Sequence, residues 1–254
     1  MTISPTPAVL ELVRARRGQL ELIGEHVRRL LQALRGRPAA ALFDEESLAA
    51  FVRARWQQRG GGDGVLRLEA TNDEITVAGP DEPAISGETL AAGFSVGTSD
   101  EPRAGAPPYK SADHVAATER ALRAARGRGR DELLLRDAGG AILGAASANL
   151  FLVARGEIVT PSLARGAFPG ILRRATLIAA RELGVAAREA DVTLDDVALA
   201  DDAFLTSSSL GIVSIRAIDG RPLAAPPLGS PQRALVPRLR LRVHLLLGAR
   251  FLPA

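Results

Sequence analysis

The order of predicted strands and helices is the feature that most limits how this chain can fold. Pairs of strands joined by tight turns alternate with helices, and the strict strand–helix–strand repeat of a doubly wound parallel sheet does not occur. The first such pair is predicted at Ala8–Arg16 and Gln19–Ile23, with a helix over Gly24–Leu34. This pattern predicts a mixed α+β fold.

A polar, turn-rich stretch at Gly79–Pro83 is interpreted as a linker between two domains. We therefore expect a small N-terminal α/β domain over residues 1–83 and a larger C-terminal domain over residues 84–254. In the larger domain, a loop over Ser99–Pro108 leads to Lys110. The length of 254 residues is sufficient for two such domains.

Composition excludes several kinds of protein. The chain has no cysteine, so disulfides, thiolate catalysis and cysteine zinc sites are ruled out. Its three histidines are far apart in sequence, and we predict no metal site. The sequence shows neither an apolar run of membrane-spanning length nor a signal-peptide pattern, so we expect a cytoplasmic protein without membrane contact.

Charge and aromatic content argue against a nucleic-acid partner. The net charge is only +3, and aromatic residues make up 4% of the chain, which leaves few side chains for base stacking. The basic stretch Arg238–Arg242 is interpreted as the solvated face of a C-terminal helix.

Lysine usage is the sharpest compositional feature. Of 32 Lys and Arg residues, Lys110 is the only lysine. Arginine stays protonated, whereas a lysine amine can lose its proton when it is desolvated and can then form a Schiff base. Lys110 is therefore a candidate nucleophile. The alternative is that a single lysine remains by chance in an arginine-rich sequence.

Three segments have the chemistry of an anion site. A predicted helix opens at Pro169–Arg173, where free N–H groups and the helix dipole favour a phosphate. Thr206–Ser209 supplies hydroxyl and N–H groups at the end of a predicted strand, and the pair Arg28 and Arg29 supplies guanidinium groups. Each segment alone is a weak signal.

Taken in order along the chain, these segments resemble the class IV aminotransferase family, the fold-type-IV pyridoxal-phosphate enzymes. The resemblance covers nearly the whole chain. It includes a His-x-x-Arg-Leu motif, a lysine followed by a helix, a Ser-x-Asn-Leu-Phe strand, a Pro-Gly-Ile helix start and a serine-rich strand end. These motifs correspond to His26–Leu30, Tyr109–Ser111, Ser147–Phe151, Phe168–Arg173 and Phe204–Ser209.

The resemblance implies a two-domain, D-amino-acid-aminotransferase-like fold and a bound pyridoxal 5'-phosphate. Lys110 would hold this cofactor as a Schiff base and move the proton at the substrate α-carbon. The family's phosphate site would be formed by Arg29, Ser207, Ser208 and the backbone N–H groups of Ile171 and Leu172, and Ser147 would lie near the cofactor ring or its phenolic oxygen. The family usually forms homodimers, so we expect a homodimer.

One position departs from the family pattern. The family carries a glutamate three residues before the Ser-x-Asn serine, where it pairs with the pyridine nitrogen, and this chain has Gly144 there. Such a carboxylate keeps the ring nitrogen protonated and makes the cofactor a strong electron sink. Glu11, Asp113 or a water molecule could take its place, and a Gly144→Glu change is expected to raise activity if the loss is functional.

The function implied by the resemblance is transfer of an amino group between an amino acid and a 2-oxo acid. The first alternative is 4-amino-4-deoxychorismate lyase, which releases pyruvate by related chemistry. The second is a non-catalytic homologue, suggested by Gly144. The expected partners are small amino and 2-oxo acids.

Overall fold

The structure is a computed structural model that describes residues 8–82, 85–223, 231–249 and 252, without the side chains of residues 231 and 232. From the N-terminus to the C-terminus its elements are β1 (Val9–Arg16), β2 (Gln19–Leu20), α1 (Ile23–Ala33), α2 (Pro38–Ala41), α3 (Glu45–Gln58), β3 (Gly64–Ala70), β4 (Ile75–Asp81), α4 (Gly87–Ala92), β5 (Phe94–Pro102), β6 (Lys110–Ser111), α5 (Ala112–Gly127), β7 (Glu132–Arg136), β8 (Ile142–Ala145), β9 (Asn149–Ala154), β10 (Glu157–Pro161), α6 (Ile171–Glu182), β11 (Ala187–Ala190), α7 (Leu194–Ala198), β12 (Asp202–Ser207), β13 (Gly211–Ile218), β14 (Arg221–Pro222) and α8 (Pro231–Leu247).

Contacts between residues divide the chain into two units. The first contains residues 1–84, 108–116 and 245–254, and the second contains residues 85–107 and 117–244. The Lys110 segment therefore groups with the N-terminal unit, although the sequence suggested that it belongs to the larger domain. The domain boundary near residue 83 stays a prediction.

The first unit contains an antiparallel sheet with the strand order β2–β1–β3–β4, in which β6 also pairs with β1. Alternate side chains of β1 and β3, including Val13 and Leu66, pack with Val27 and Leu30 of α1 in one apolar core. Helix α3 begins after Asp44, whose carboxylate accepts a hydrogen bond from the Ser47 N–H at 2.7 Å. This core fixes the positions of β1 and α1.

The second unit contains a mixed sheet with the strand order β11–β10–β9–β12–β13–β5–β7–β8, and β14 pairs with β13. Strands β9, β12 and β13 pair antiparallel, whereas β13, β5 and β7 pair in parallel. On one face of the sheet, the rings of Phe151 and Phe204 stack with their centroids 5.1 Å apart. The combination of helices with a mixed sheet confirms the predicted α+β class.

Several boundaries differ from the predictions. The strand expected to reach Ile23 ends at Leu20, because the chain turns at Leu22 in a left-handed conformation and α1 begins at the next residue. Of the stretch Gly79–Pro83 expected to be a linker, residues 79–81 belong to β4 and Pro83 lies outside the described residues. The expected Ser99–Pro108 loop is likewise strand up to Pro102.

Helix α8 exposes Arg238 and Arg240 to solvent, and Arg242 forms an ion pair with Glu182 at 2.6 Å. The predicted solvated face of this helix is therefore confirmed for these arginines. Across the residues that the structure describes, no helix has both the length and the apolar character needed to cross a membrane.

Candidate functional site

Lys110 lies in the short strand β6, where it pairs with Leu10 of β1. Its side chain is partly buried. Burial and then the nearby charge of Arg29 lower the pKa of Lys110 from 10.5 to about 8, and Glu11 acts in the opposite direction. About a tenth of the amine is therefore unprotonated at pH 7, far more than for an ordinary lysine, and the unprotonated amine is the form that attacks carbonyl carbon.

Arg29, predicted to bind a phosphate, lies on α1 and is held by Glu11 of β1. Its Nε and Nη2 atoms donate hydrogen bonds of 2.6 and 2.7 Å to the two oxygens of the Glu11 carboxylate. Burial acts to raise the pKa of Glu11, but Arg29 and His26 outweigh it and hold this pKa at about 2. The two-point contact fixes the plane of the guanidinium group.

His26 completes this buried cluster. Its Nδ1 atom lies 2.8 Å from Glu11 Oε2 and donates to it, because an ionised carboxylate only accepts hydrogen bonds. Burial is the main cause that lowers the pKa of His26. Glu11 is therefore bound to two partners of its own and is not available to replace the carboxylate missing at Gly144.

Ile171 and Leu172 form the first turn of α6, which follows Gly170 and has no side-chain cap. Asn149 holds the segment that leads into α6, because its Nδ2 atom donates a hydrogen bond to the Phe168 carbonyl at 2.7 Å. A Cβ atom at Gly170 would overlap Asn149 Oδ1, so only glycine allows this close approach. The first-turn N–H groups of an uncapped helix are suited to an anion.

Ser207 ends β12 and Ser208 begins the turn that leads to β13. The Ser207 hydroxyl lies 3.1 Å from the Ser209 hydroxyl and accepts from the Leu210 N–H at 3.2 Å. The neighbouring Thr206 is buried, and its hydroxyl has no hydrogen-bond partner among the described residues. An unsatisfied buried hydroxyl is costly and marks a place where a polar ligand would be stabilised.

The serine turn and the α6 start meet at one end of the second sheet. Thr206 lies directly opposite Asn149 in the β9–β12 pair, and Asn149 contacts Gly170. Ser147 precedes Asn149 by two residues. The predicted residues of the second unit are therefore Ser147, Ile171, Leu172, Ser207 and Ser208, whereas Lys110 and Arg29 belong to the first unit.

Ser147 has a partner that the sequence did not reveal. The carboxylate of Glu132, a residue only 1% exposed, accepts hydrogen bonds from the Ser147 hydroxyl and from the N–H groups of Leu133, Ala146 and Ser147. Burial raises the pKa of Glu132, and these hydrogen bonds oppose the rise. The only signal in the sequence is an acidic residue at the start of an apolar strand.

Gly144 lies in β8 with a φ angle of +142°, a conformation that side-chain-bearing residues rarely adopt. A Cβ atom there would lie 3.2 Å from the carbonyl oxygen of Ala148. A side chain at this position would therefore be strained, and the gain in activity expected for Gly144→Glu stays a prediction.

These residues fit pyridoxal phosphate. The uncapped start of α6, the close approach at Gly170 and the unpartnered Thr206 hydroxyl suit a phosphate ester. The partly neutral amine of Lys110 suits an aldehyde.

Comparison with known proteins gives relatives that are named as aminotransferases. The branched-chain-amino-acid aminotransferase of Escherichia coli strain K12 is 36% identical over 96 residues, which cover 38% of this chain. The aligned stretch spans only 31% of the length of that relative.

Solved structures resemble the chain over nearly its whole length. A branched-chain amino acid aminotransferase from Escherichia coli has a TM-score of 0.81 and 21% identity, and the match covers 96% of this chain and 87% of that one. A putative 4-amino-4-deoxychorismate lyase from Legionella pneumophila has a TM-score of 0.80 and 19% identity, with 96% of each chain covered. These similarities confirm the predicted fold-type-IV architecture.

The family model described as amino-transferase class IV matches residues 8–218, which is most of the chain. That range includes Lys110, Arg29 and the other residues of the candidate site. The chain belongs to the class IV aminotransferase family.

Proposed function

We propose that this protein is a pyridoxal-phosphate-dependent aminotransferase that transfers an amino group between an amino acid and a 2-oxo acid. The observation that carries the proposal is the single lysine, Lys110, whose lowered pKa leaves a reactive amine beside Arg29 in a chain of this family. When bound, pyridoxal phosphate supplies an aldehyde that condenses with amines and a ring that withdraws electrons from the substrate α-carbon.

Lys110 has two tasks in this proposal. Its Nζ atom would hold the aldehyde carbon of the bound cofactor, and the freed amine would accept the proton of the substrate α-carbon and deliver a proton on the other side of the substrate nitrogen. A pKa of about 8 suits both directions of this transfer, because the amine then holds and releases protons readily near neutral pH.

In this proposal, the phosphate would be bound by residues of α1, of α6 and of the end of β12 with the turn that follows it. Arg29 supplies the positive charge, and its plane is fixed by Glu11. The backbone N–H groups of Ile171 and Leu172 and the hydroxyls of Ser207 and Ser208 supply neutral donors.

The unique lysine allows a decisive test. Purified protein is mixed with pyridoxal phosphate, its visible absorbance is recorded, and the linkage is reduced with borohydride before peptide mass analysis. We expect an absorbance band and a cofactor mass on the peptide that contains Lys110, and amino-acid donors should bleach the band. The matched control is Lys110→Arg, which keeps the positive charge but cannot form the linkage.

Wild-type protein that shows neither the band nor the mass addition would contradict the proposal. The 4-amino-4-deoxychorismate lyase activity is kept as the second candidate, because the Legionella structure matches this chain over 96% of both lengths. Release of pyruvate from aminodeoxychorismate without a 2-oxo acid acceptor would select it. The homodimer and the cytoplasmic location stay predictions.

A further inference from the structure

On the basis of the proposed function, we infer that the buried Glu132 carboxylate, acting through the Ser147 hydroxyl, favours a protonated ring nitrogen in the bound cofactor. Glu132 is then a positioning residue, because it is enclosed and reaches the cofactor only through Ser147. Glu132 would thus take over the function of the family glutamate, whose position in this chain is occupied by Gly144.

The first step of the argument is the polarity of the contacts around Glu132. Its carboxylate receives N–H groups from Leu133 at 2.9 Å, Ala146 at 3.1 Å and Ser147 at 2.9 Å, together with the Ser147 hydroxyl. All of these partners are donors, and four donors match the acceptor capacity of an ionised carboxylate. A protonated acid would lose part of that capacity.

The second step concerns Ser147, which is only partly buried and can therefore meet a ligand. Both of its protons, on the backbone nitrogen and on the hydroxyl, point to Glu132. The hydroxyl consequently offers lone pairs alone, so its partner on a ligand must be a hydrogen-bond donor. On the pyridoxal ring a protonated nitrogen is a donor, whereas the ionised phenolic oxygen is an acceptor.

The third step is charge balance. Within the described residues, no arginine, lysine or histidine forms an ion pair with Glu132. A buried carboxylate without a counter-charge is costly, which is why burial raises the pKa of Glu132. A pyridinium group bound at Ser147 would supply the missing positive charge and would be stabilised in return.

The other carboxylates considered for this role are less suitable. Glu11 is bound by Arg29 and His26, and Asp113 is exposed in the first turn of α5. An exposed carboxylate in water exerts only a weak electrostatic effect. Glu132 alone among these three combines burial, negative charge and a partly exposed serine that can transmit its effect.

The test measures the protonation of the ring nitrogen by NMR, with pyridoxal phosphate labelled with ¹⁵N at the ring position and bound to the protein. In wild-type protein near pH 8 we expect the signal of a protonated nitrogen. Ser147→Ala removes the connecting hydroxyl but keeps the three backbone N–H contacts of Glu132. It should lower the ratio of protonated to neutral nitrogen at least about tenfold, equivalent to one pKa unit.

Two further variants sharpen the result. Glu132→Gln should act like Ser147→Ala, because the amide can donate to the serine and free its proton, and Ser147→Thr should restore the wild-type signal. Thr118→Val is the matched control, since the Thr118 hydroxyl donates to the Ala146 carbonyl at 3.2 Å on the same turn without touching the carboxylate. It should leave the ring-nitrogen signal unchanged.

A neutral ring nitrogen in the wild type, or a protonated one that persists in Ser147→Ala, would overturn the inference. A Glu132→Gln protein that fails to fold does not affect this decision, because Ser147→Ala decides alone. If the wild type binds no cofactor at Lys110, the proposed function fails and the inference fails with it. If the cofactor is bound but its nitrogen does not respond, only the inference fails.

Discussion

The carboxylate of Glu11 binds the guanidinium group of Arg29 through two hydrogen bonds of 2.6 and 2.7 Å, and Glu11 is fully buried. Its second oxygen also accepts from His26 at 2.8 Å. A carboxylate in this position orients the one arginine assigned to the phosphate. Its loss should therefore affect stability and cofactor binding together.

Glu11→Gln is expected to lower the free energy of unfolding by about 3–5 kcal/mol, because it leaves the charge of Arg29 without its buried counter-charge. Urea unfolding monitored by circular dichroism measures this loss. Glu45→Gln is the control, since Glu45 pairs with Arg28 at 3.0 Å but is 38% exposed. An exposed pair contributes at most about 1 kcal/mol, so equal losses in the two variants would contradict the structure.

The same carboxylate predicts how stability depends on pH. The pKa of Glu11 is lowered from 4.5 to about 2 in the folded chain, so the folded state binds its proton less readily than the unfolded state. The stability that Glu11 provides is therefore complete above about pH 4.5 and is lost as the pH falls towards 2. Urea midpoints between pH 6 and 2 should fall less steeply in Glu11→Gln than in the wild type. Parallel curves would show that Glu11 is not the responsible group.

Gly170→Ala tests the contact between the α6 start and β9. The added methyl group would overlap Asn149 Oδ1, so we expect a destabilisation of about 1–3 kcal/mol and weaker binding of pyridoxal phosphate. Gly127→Ala is the control, because Gly127 ends α5 and a Cβ atom there meets nothing within 4 Å. That change should be neutral or slightly stabilising. Thermal unfolding and cofactor titration distinguish the two.

Gly144→Glu is expected to destabilise the protein. The φ angle of +142° and the carbonyl of Ala148 at 3.2 Å oppose any side chain, at a cost of about 1–3 kcal/mol. Gly144→Ala separates strain from charge, since it adds a Cβ atom without a carboxylate. We expect both variants to lose similar stability in urea. A stable Gly144→Glu protein would argue that β8 accommodates the side chain.

The sequence was most informative where a local pattern decides the structure. The strands Glu132–Arg136 and Asn149–Ala154 have the predicted bounds, because each is a short apolar run limited by turn residues. Strand β8 was not predicted, since its four residues give too short a pattern and it is defined by pairing with β7. Tertiary pairing of this kind leaves little trace in one sequence.

The same distinction between local patterns and tertiary contacts applies to the residues of the candidate site. Lys110 was found from its rarity, and Ile171 and Leu172 from the helix start that follows Gly170. Glu132 was not found, because its partners Ala146 and Ser147 lie 14 and 15 residues away and are mainly backbone groups. Almost every residue type has a backbone N–H donor, so these contacts can be recognised only in the folded structure.

Because Lys110 is the only lysine, its pKa can be measured directly. In cofactor-free protein, the rate at which an acylating reagent modifies Lys110 should reach half its maximum near pH 8, as followed by peptide mass analysis. Arg29→Gln removes a positive charge that lowers this pKa, so its profile should move to higher pH. Arg28→Gln is the control, because Arg28 binds Glu45 and does not contribute to the pKa of Lys110. A half-maximum near pH 10.5 in the wild type, the ordinary value for lysine, would show that the amine is solvated and would remove the main support for its role.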